Sequence, residues 1–137
     1  MTTTKTSGLG WTTFTVQDSS AVAQDIRTDI STLKISTPRA VQDITGIDKS
    51  AHERLLLLAD SSISMNGYWD PGSNLAHEVF STVPSTSVIR AISSVISSKT
   101  FGGNFLLTDY QLNRATGGAF TWTVPASLAD GAVPTWS

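Results

Sequence analysis

The sequence predicts a mainly β protein, an antiparallel β-sandwich or barrel with one short flanking α-helix. Three observations predict it. Six or seven runs alternate apolar and polar residues with period two. Clusters of Gly, Pro, Asn, Asp and Ser separate those runs at short spacing. Only one stretch repeats apolar residues at helical spacing.

Residues 1–8 carry nothing that could anchor in a core and read as a flexible polar arm. Trp11, Phe14 and Val16 lie in the first β-rich run, which Gln17-Asp18-Ser19-Ser20 ends. Residues 21–29 fit either a helical turn, through Ala21, Val22, Ala23 and Ile26, or a strand edge. From Ile30 to Thr37 the alternation is that of a strand, and Pro38 interrupts it. Arg39 to Ile44 reads as a further strand in an extended hairpin or long loop. Over residues 51–60, four consecutive leucines favour helix by propensity. Next comes a clear strand, with Ile63, Met65, Gly67 and Trp69 on one side and Ser62, Ser64, Asn66 and Tyr68 on the other.

Asp70-Pro71-Gly72-Ser73 is a turn by composition. The helix follows: Ser73 or Asn74 can cap it, and Leu75, Val79 and Val83 recur at i, i+4 and i+8 before Pro84 closes it. Val88 to Ile96 is a strand, Ser97-Ser98-Lys99-Thr100 a turn, Phe101 to Tyr110 a strand, and residues 113–118 a hairpin turn. Ala119 to Val124 alternates again, and Pro125 is expected to confine that strand to an edge or stop it early. The chain ends on Thr135-Trp136-Ser137, where an aromatic is expected to dock, on its own subunit or on a neighbour.

The chain has 137 residues, about one domain. Charged residues make up 15%, against roughly 25% in an average domain, and the 19 Ser and 19 Thr fill the gap. A net charge of −2 gives no whole-chain attraction to nucleic acid or acidic membranes. The absence of cysteine removes disulfide frameworks, Cys-based zinc sites and thiol catalysis. No apolar run approaches the roughly 18 residues of a membrane span, so no membrane insertion is expected.

Catalytic and cofactor motifs fail one by one. His52 and His77 are each followed by Glu, but the position where a zincin needs its second His holds Leu56 or Ser81. No Gly-x-Ser-x-Gly elbow surrounds any serine. Gly8-Leu9-Gly10 starts like a dinucleotide loop, but Thr13 occupies the third glycine position. The five arginines and four lysines form no basic stripe. Trp11, Trp69, Trp122 and Trp136 could form a carbohydrate-stacking platform, although core packing is the simpler role for the first three. No enzyme activity and no cofactor are expected.

One ordered set of segments carries a resemblance. It runs from Asp25-Ile26-Arg27-Thr28-Asp29-Ile30 through Ser36-Thr37-Pro38-Arg39-Ala40-Val41-Gln42-Asp43-Ile44-Thr45-Gly46 and Ala51-His52-Glu53-Arg54. It continues through residues 57–70, Asn74-Leu75-Ala76-His77-Glu78-Val79-Phe80, residues 105–114, Trp122 and the closing residues 128–137. The set resembles the major tail tube proteins of long-tailed, siphovirus-type bacteriophages. The resemblance implies a subunit that joins hexameric rings, which stack into a hollow tube, with part of each sheet contributing to a continuous β-barrel around the lumen. The implied partners are further copies of the chain, the tape measure protein, tail terminator and tail-tip proteins, and double-stranded DNA in transient, non-specific passage. The implied location is the virion tail, assembled in the host cytoplasm.

Within that frame residues 9–127 are the tube domain, flanked by arms 1–8 and 128–137 that are expected to order only on assembly. Residues 36–50 are the expected inter-ring loop, with Pro38, Arg39, Asp43 and Gly46 as its candidate residues. Ser62, Ser64 and Asn66, or Ser93 and Ser97, are candidates for the lumen lining, since a lumen for DNA should not hold phosphates. Trp136 is the candidate inter-subunit arm residue. Two other functions are compatible with the sequence: a distal tail or tail-tip ring protein of the same fold, and a carbohydrate-binding β-sandwich module.

Overall fold

A computed structural model describes residues 10–129 and 131–137. In chain order the strands are β1 (Trp11–Gln17), β2 (Ala23–Asp25), β3 (Ile30–Ser36), β4 (Arg39–Asp43), β5 (Arg54–Ala59) and β6 (Ser62–Tyr68). Helix α1 (Ala76–Phe80) precedes β7 (Arg90–Ile96), β8 (Lys99–Leu107), β9 (Gln111–Arg114), β10 (Phe120–Leu128) and β11 (Thr135–Trp136). All strand pairings are antiparallel. The main sheet runs β2-β1-β7-β8-β10-β6-β3, with β11 on β8 and β9 on β10; β4 and β5 form a separate two-stranded ribbon.

The alternating sequence sets which way each strand faces. Ile63 and Met65 of β6, Trp122, Val124 and Ala126 of β10, Phe14 and Val16 of β1, Ile92 of β7, and Phe101 and Phe105 of β8 all enter one buried cluster, which Val79 and Phe80 of α1 join. Residues from both ends of the strand order share this core, so the sheet folds over itself around it. Each fully buried aliphatic or aromatic side chain contributes about 1.5–3 kcal/mol.

Four local expectations are corrected. The leucine run is strand β5, not helix, because pairing with β4 overrides a propensity difference of only tenths of a kcal/mol per residue. Strand β10 does not stop at Pro125 and is not an edge; it pairs with β6 along Thr121 to Ser127. On its other side it pairs with β9 from Phe120 to Thr123 and with β8 from Ala126 to Leu128. Pro125 sits at the seam between those two partners, where its carbonyl accepts from the Thr108 amide at 3.3 Å. In an extended strand the N and O of one residue face the same side, so the missing N–H also faces the seam, where no ladder partner stands.

The helix is not capped by Ser73 or Asn74. Asp29, 47 residues earlier, accepts from the Ala76 amide at 3.1 Å and supplies the cap. Finally, the tight turn after β7 is only Ser97-Ser98, both left-handed (φ 50° and 66°), which is the pattern of a two-residue type I′ hairpin; Lys99 and Thr100 already belong to β8. Residues 21–29, whose sequence fits either helix or strand, split into β2 and a 3-10 turn over Arg27–Asp29.

A buried guanidinium also ties α1 to the sheet. The Arg90 guanidinium donates to Val79 O at 2.6 Å, Gln17 O at 3.4 Å and Thr82 Oγ1 at 2.8 Å. Burial lowers its pKa, opposed by the charge of Asp18. At Gly67 a Cβ would lie 1.9 Å from Asp29 O and 2.6 Å from the Trp122 ring, so only glycine lets β6 pass beneath the chain that holds the helix cap.

Candidate functional site

Two surfaces stand out, one polar and one apolar. The polar one is the outward face of the four-stranded half β3-β6-β10-β9. Because Ile63, Met65, Trp122, Val124 and Ala126 face the core, their neighbours in sequence face away. The register aligns Thr32, Lys34 and Ser36 with Asn66, Ser64 and Ser62. It aligns these in turn with Thr123, Pro125 and Ser127, and Asn113 and Gln111 with Thr121 and Thr123. Thr123 Oγ1 donates to Asn66 Oδ1 at 2.7 Å. This face is hydroxyl and amide, with Lys34 its only charge among these aligned positions and no carboxylate. Among the described residues its two outer strands, β3 and β9, each pair on one side only.

The five candidate lining residues do not share one surface. Ser62, Ser64 and Asn66 lie on the polar face. Ser93 lies on the other half, in register with Thr15 of β1 and Gly102 of β8. Ser97 is in the turn between β7 and β8.

The apolar surface is the β4–β5 ribbon. Its base is closed by the Asp60 amide donating to Pro38 O at 2.9 Å. Arg39 donates through Nε and Nη2 to Leu57 O at 3.1 and 2.8 Å. Asp43 stands opposite Arg54 in the ribbon's register, accepts from the Thr45 hydroxyl and amide, and faces His52 Nδ1 at 3.1 Å. Those Thr45 hydrogen bonds, with His52 behind them, hold its carboxyl below the ordinary value. Gly46 turns the tip, its carbonyl accepting from the Lys49 amide at 3.1 Å. Pro38, Arg39, Asp43 and Gly46 therefore all belong to the ribbon, but the expected loop of residues 36–50 contains only its outgoing arm.

The returning arm is the apolar one. Leu55, Leu56, Leu57 and Leu58 are all exposed, Leu58 at 88%, and Val41, Ile44 and Ile47 are exposed with them. Alternation sends Leu55 and Leu56 to opposite faces, and an extra residue in β5 breaks the register with β4 between Leu56 and Ala59. Both faces are thus apolar and both are open. An uninterrupted apolar run is the pattern of a strand covered on both sides, and that signal is present in the sequence.

At the other end of the chain, β11 pairs with β8, and Trp136 packs on Phe101 with ring centroids 5.1 Å apart while staying 56% exposed. The C-terminal segment is therefore held in the single subunit through Thr135 and Trp136. The N-terminal arm, residues 1–8, lies outside the described residues. Val133, Pro134 and Trp136 line a groove of about 220 Å³ with Thr37, Arg39, Ala59 and Asp60 at the base of the ribbon.

The tryptophans do not make a shared platform. Trp122 is buried and donates to Tyr68 O at 2.9 Å. Trp11 donates to Ser94 Oγ at 3.0 Å. Trp69 stacks on Phe120 at 5.1 Å and touches His77 at 4.1 Å. His77 Nδ1 lies 3.0 Å from Tyr110 Oη, whose pKa burial pushes up to about 12. His52 and His77 are thus engaged in separate places, one on the ribbon and one beside α1.

No protein-family model and no curated protein matches the sequence. Among solved structures, the fold matches a chain in the virion of a native gene transfer agent particle, with a TM-score of 0.76 and 15% identity over 97% of this chain and 99% of that one. It also matches a chain in the tail of an empty gene transfer agent particle of C6 symmetry, with a TM-score of 0.74 and 14% identity over the same shares. The chain thus has the whole fold of a subunit from those particles, an antiparallel β fold with one short helix.

Proposed function

We propose that the chain is the structural subunit of a tail tube, joining hexameric rings that stack into a hollow cylinder. The observation that carries this is the outward face of β3-β6-β10-β9: polar, almost uncharged, and bounded by two strands that each have an unpaired edge. Joining the free edge of β3 in one subunit to that of β9 in the next closes a ring of strands and removes both exposed edges. The C6 symmetry of a tail built from a chain of the same fold supports six subunits per turn.

In such a ring Ser62, Ser64 and Asn66 face the lumen with the threonines of β10. Hydroxyls and amides hydrate well but release few counterions from DNA, so the lining lets a phosphate backbone pass without holding it. The tape measure protein occupies the same channel during assembly, and tail terminator and tail-tip proteins close its ends. The ribbon that includes Pro38, Arg39, Asp43 and Gly46 bridges one ring to the next, a head-to-tail contact that grows without closing.

Negative-stain electron microscopy of the purified protein tests this. Long, uniform, hollow tubes are expected. Single rings would point instead to a distal tail or tail-tip ring protein, and monomers that bind glycan to a carbohydrate-binding module.

A further inference from the structure

We infer, on the strength of the ring proposed above, that Lys34 and Asp109 form a compensated charge pair that tunes the channel, with Asp109 keeping the lysine from retaining duplex DNA.

The two charges stand at opposite edges of one row of the polar face. Lys34 of β3 is in register with Ser64, and Ser64 with Pro125. The chain returns to the same level on the far side of β10, where the Thr108 amide donates to Pro125 O at 3.3 Å and Asp109 follows. Asp109 Oδ2 accepts from Gln111 Nε2 at 2.8 Å, and Gln111 is on the polar face opposite Thr123. The carboxylate is thereby held at the β9 edge of that face. Both residues are exposed, and among the described residues neither joins an ion pair.

Within one subunit three strand spacings, about 14 Å, separate the two edges. Joining β3 to the β9 of the next copy brings Lys34 and that copy's Asp109 onto adjacent strands, about 5 Å apart across the strand direction. Each copy then adds one cation and one anion to this row of the lining, and no net charge.

The size of the channel decides how an unbalanced charge would act. In a six-fold ring the four strands of each copy make roughly 24, which, spaced about 4.8 Å and tilted about 40°, close to a cylinder of roughly 24 Å backbone radius. A lysine stem reaches roughly 6 Å inward and a centred duplex is about 10 Å in radius, which leaves a gap of about 8 Å. That gap is close to the Debye length at physiological salt. The ammonium therefore touches no phosphate. Bare ammonium groups repeated around every ring would nevertheless attract a duplex that carries one charge per roughly 1.7 Å. A carboxylate on the next strand cancels most of that attraction, because the potential of a close pair of opposite charges decays faster than that of a lone charge.

The test uses tubes assembled from the purified protein, incubated with a short fluorescent duplex, treated with nuclease to strip outer DNA, and sedimented. At about 0.01 M salt, where the Debye length is about 30 Å, Asp109→Asn tubes should retain at least about fivefold more protected duplex than unsubstituted tubes. The excess should vanish by about 1 M salt, where that length is about 3 Å. Lys34→Gln tubes should do the reverse and retain labelled spermine in similar excess. The double variant should return to the unsubstituted level with both probes. Equal retention in all four kinds of tube overturns the charge pair and leaves a tube-forming subunit intact. Retention of duplex by the double variant as strong as by Asp109→Asn does the same. Tubes lost in each single variant and restored in the double would make the pair a contact between copies and overturn its role in the channel. An unsubstituted protein that sediments as monomer at every concentration overturns the ring as well.

Discussion

Strands β6 and β5 are close in sequence and opposite in fate. In β6 only every second residue is apolar, and Ile63 and Met65 are buried to the last few Å². In β5 four successive residues are leucine and none is buried. The more apolar strand is the more exposed one. Strand β6 is written for one inside, the core of its own chain. Strand β5 is written for two covered faces, and within the single chain it has neither. A lone two-stranded ribbon is at best marginally stable, and the ribbon draws less support from the core of its own chain than the main sheet does.

Four experiments bear on that difference, in descending order of their effect on the subunit itself. Gly67→Ala should be the most damaging, costing about 3 kcal/mol or more, because the new methyl collides with backbone at Asp29 O as well as with the Trp122 ring. Chemical denaturation should show it, and a cost under about 1 kcal/mol would mean that β6 is less confined than the main sheet implies. Arg90→Met should cost about 2–4 kcal/mol, because Val79 O and Thr82 Oγ1 lose a charged donor inside the fold. A neutral result in a urea titration would remove Arg90 as the tie between helix and sheet.

A smaller effect is expected from Asp29→Asn, and it should depend on pH. Burial, then the hydrogen bond and charge of Asp70, raise the pKa of Asp29 above the ordinary 3.8, against the Ala76 amide that lowers it. A raised folded pKa means that the protonated form stabilises the fold. That contribution is fully present below pH 3.8 and is lost as pH rises through the folded value. The substituted side-chain amide is neutral at every pH and mimics the protonated carboxyl, so the variant should gain on the natural protein at neutral pH and lose that advantage in acid. Melting temperatures across pH would check it; a difference independent of pH would assign Asp29 to capping alone.

The smallest effect on the subunit should come from the largest excision. Replacing residues 39–59 by a short Gly-Ser turn joins positions that already hydrogen-bond, Pro38 and Asp60. The subunit should change in stability by less than about 1 kcal/mol, since none of the excised side chains belongs to the buried core. Tube formation should vanish. Normal tubes from this variant in the electron microscope would reject the ribbon as an assembly element.

Much of the main sheet is legible because one-sided burial writes itself as alternation. Residues 30–36 and 62–68 can be oriented from sequence alone, and the outward position of Ser62, Ser64 and Asn66 follows from the same parity; residues 90–96 cannot, because the buried side of that strand carries Arg90 and Ser94 beside Ile92. What is not legible depends on partners distant in sequence. The Asp29 cap on Ala76 is made across 47 residues, while Ser73 and Asn74 stand closer and suffice by composition. Nor is the half of the sheet to which Ser93 belongs legible, because sheet order is set by long-range pairing. Strand β5 escapes a reading by propensity for a different reason: leucine's helix preference is a property of the isolated residue, and the ribbon's register with β4 outweighs it.

The seam at Pro125 has a consequence for fidelity. Strand β10 must choose the correct offset against β8 and β9 at once, and a slip of two residues would keep every apolar side chain facing inward, so hydrophobic burial alone does not forbid it. Such a slip would move the proline out of the gap and set a ring without an N–H opposite a carbonyl that needs a donor. One residue thus turns a silent error into a costly one. In an assembly of many identical copies, where each subunit must present the same face to the next, that is proofreading by a missing hydrogen.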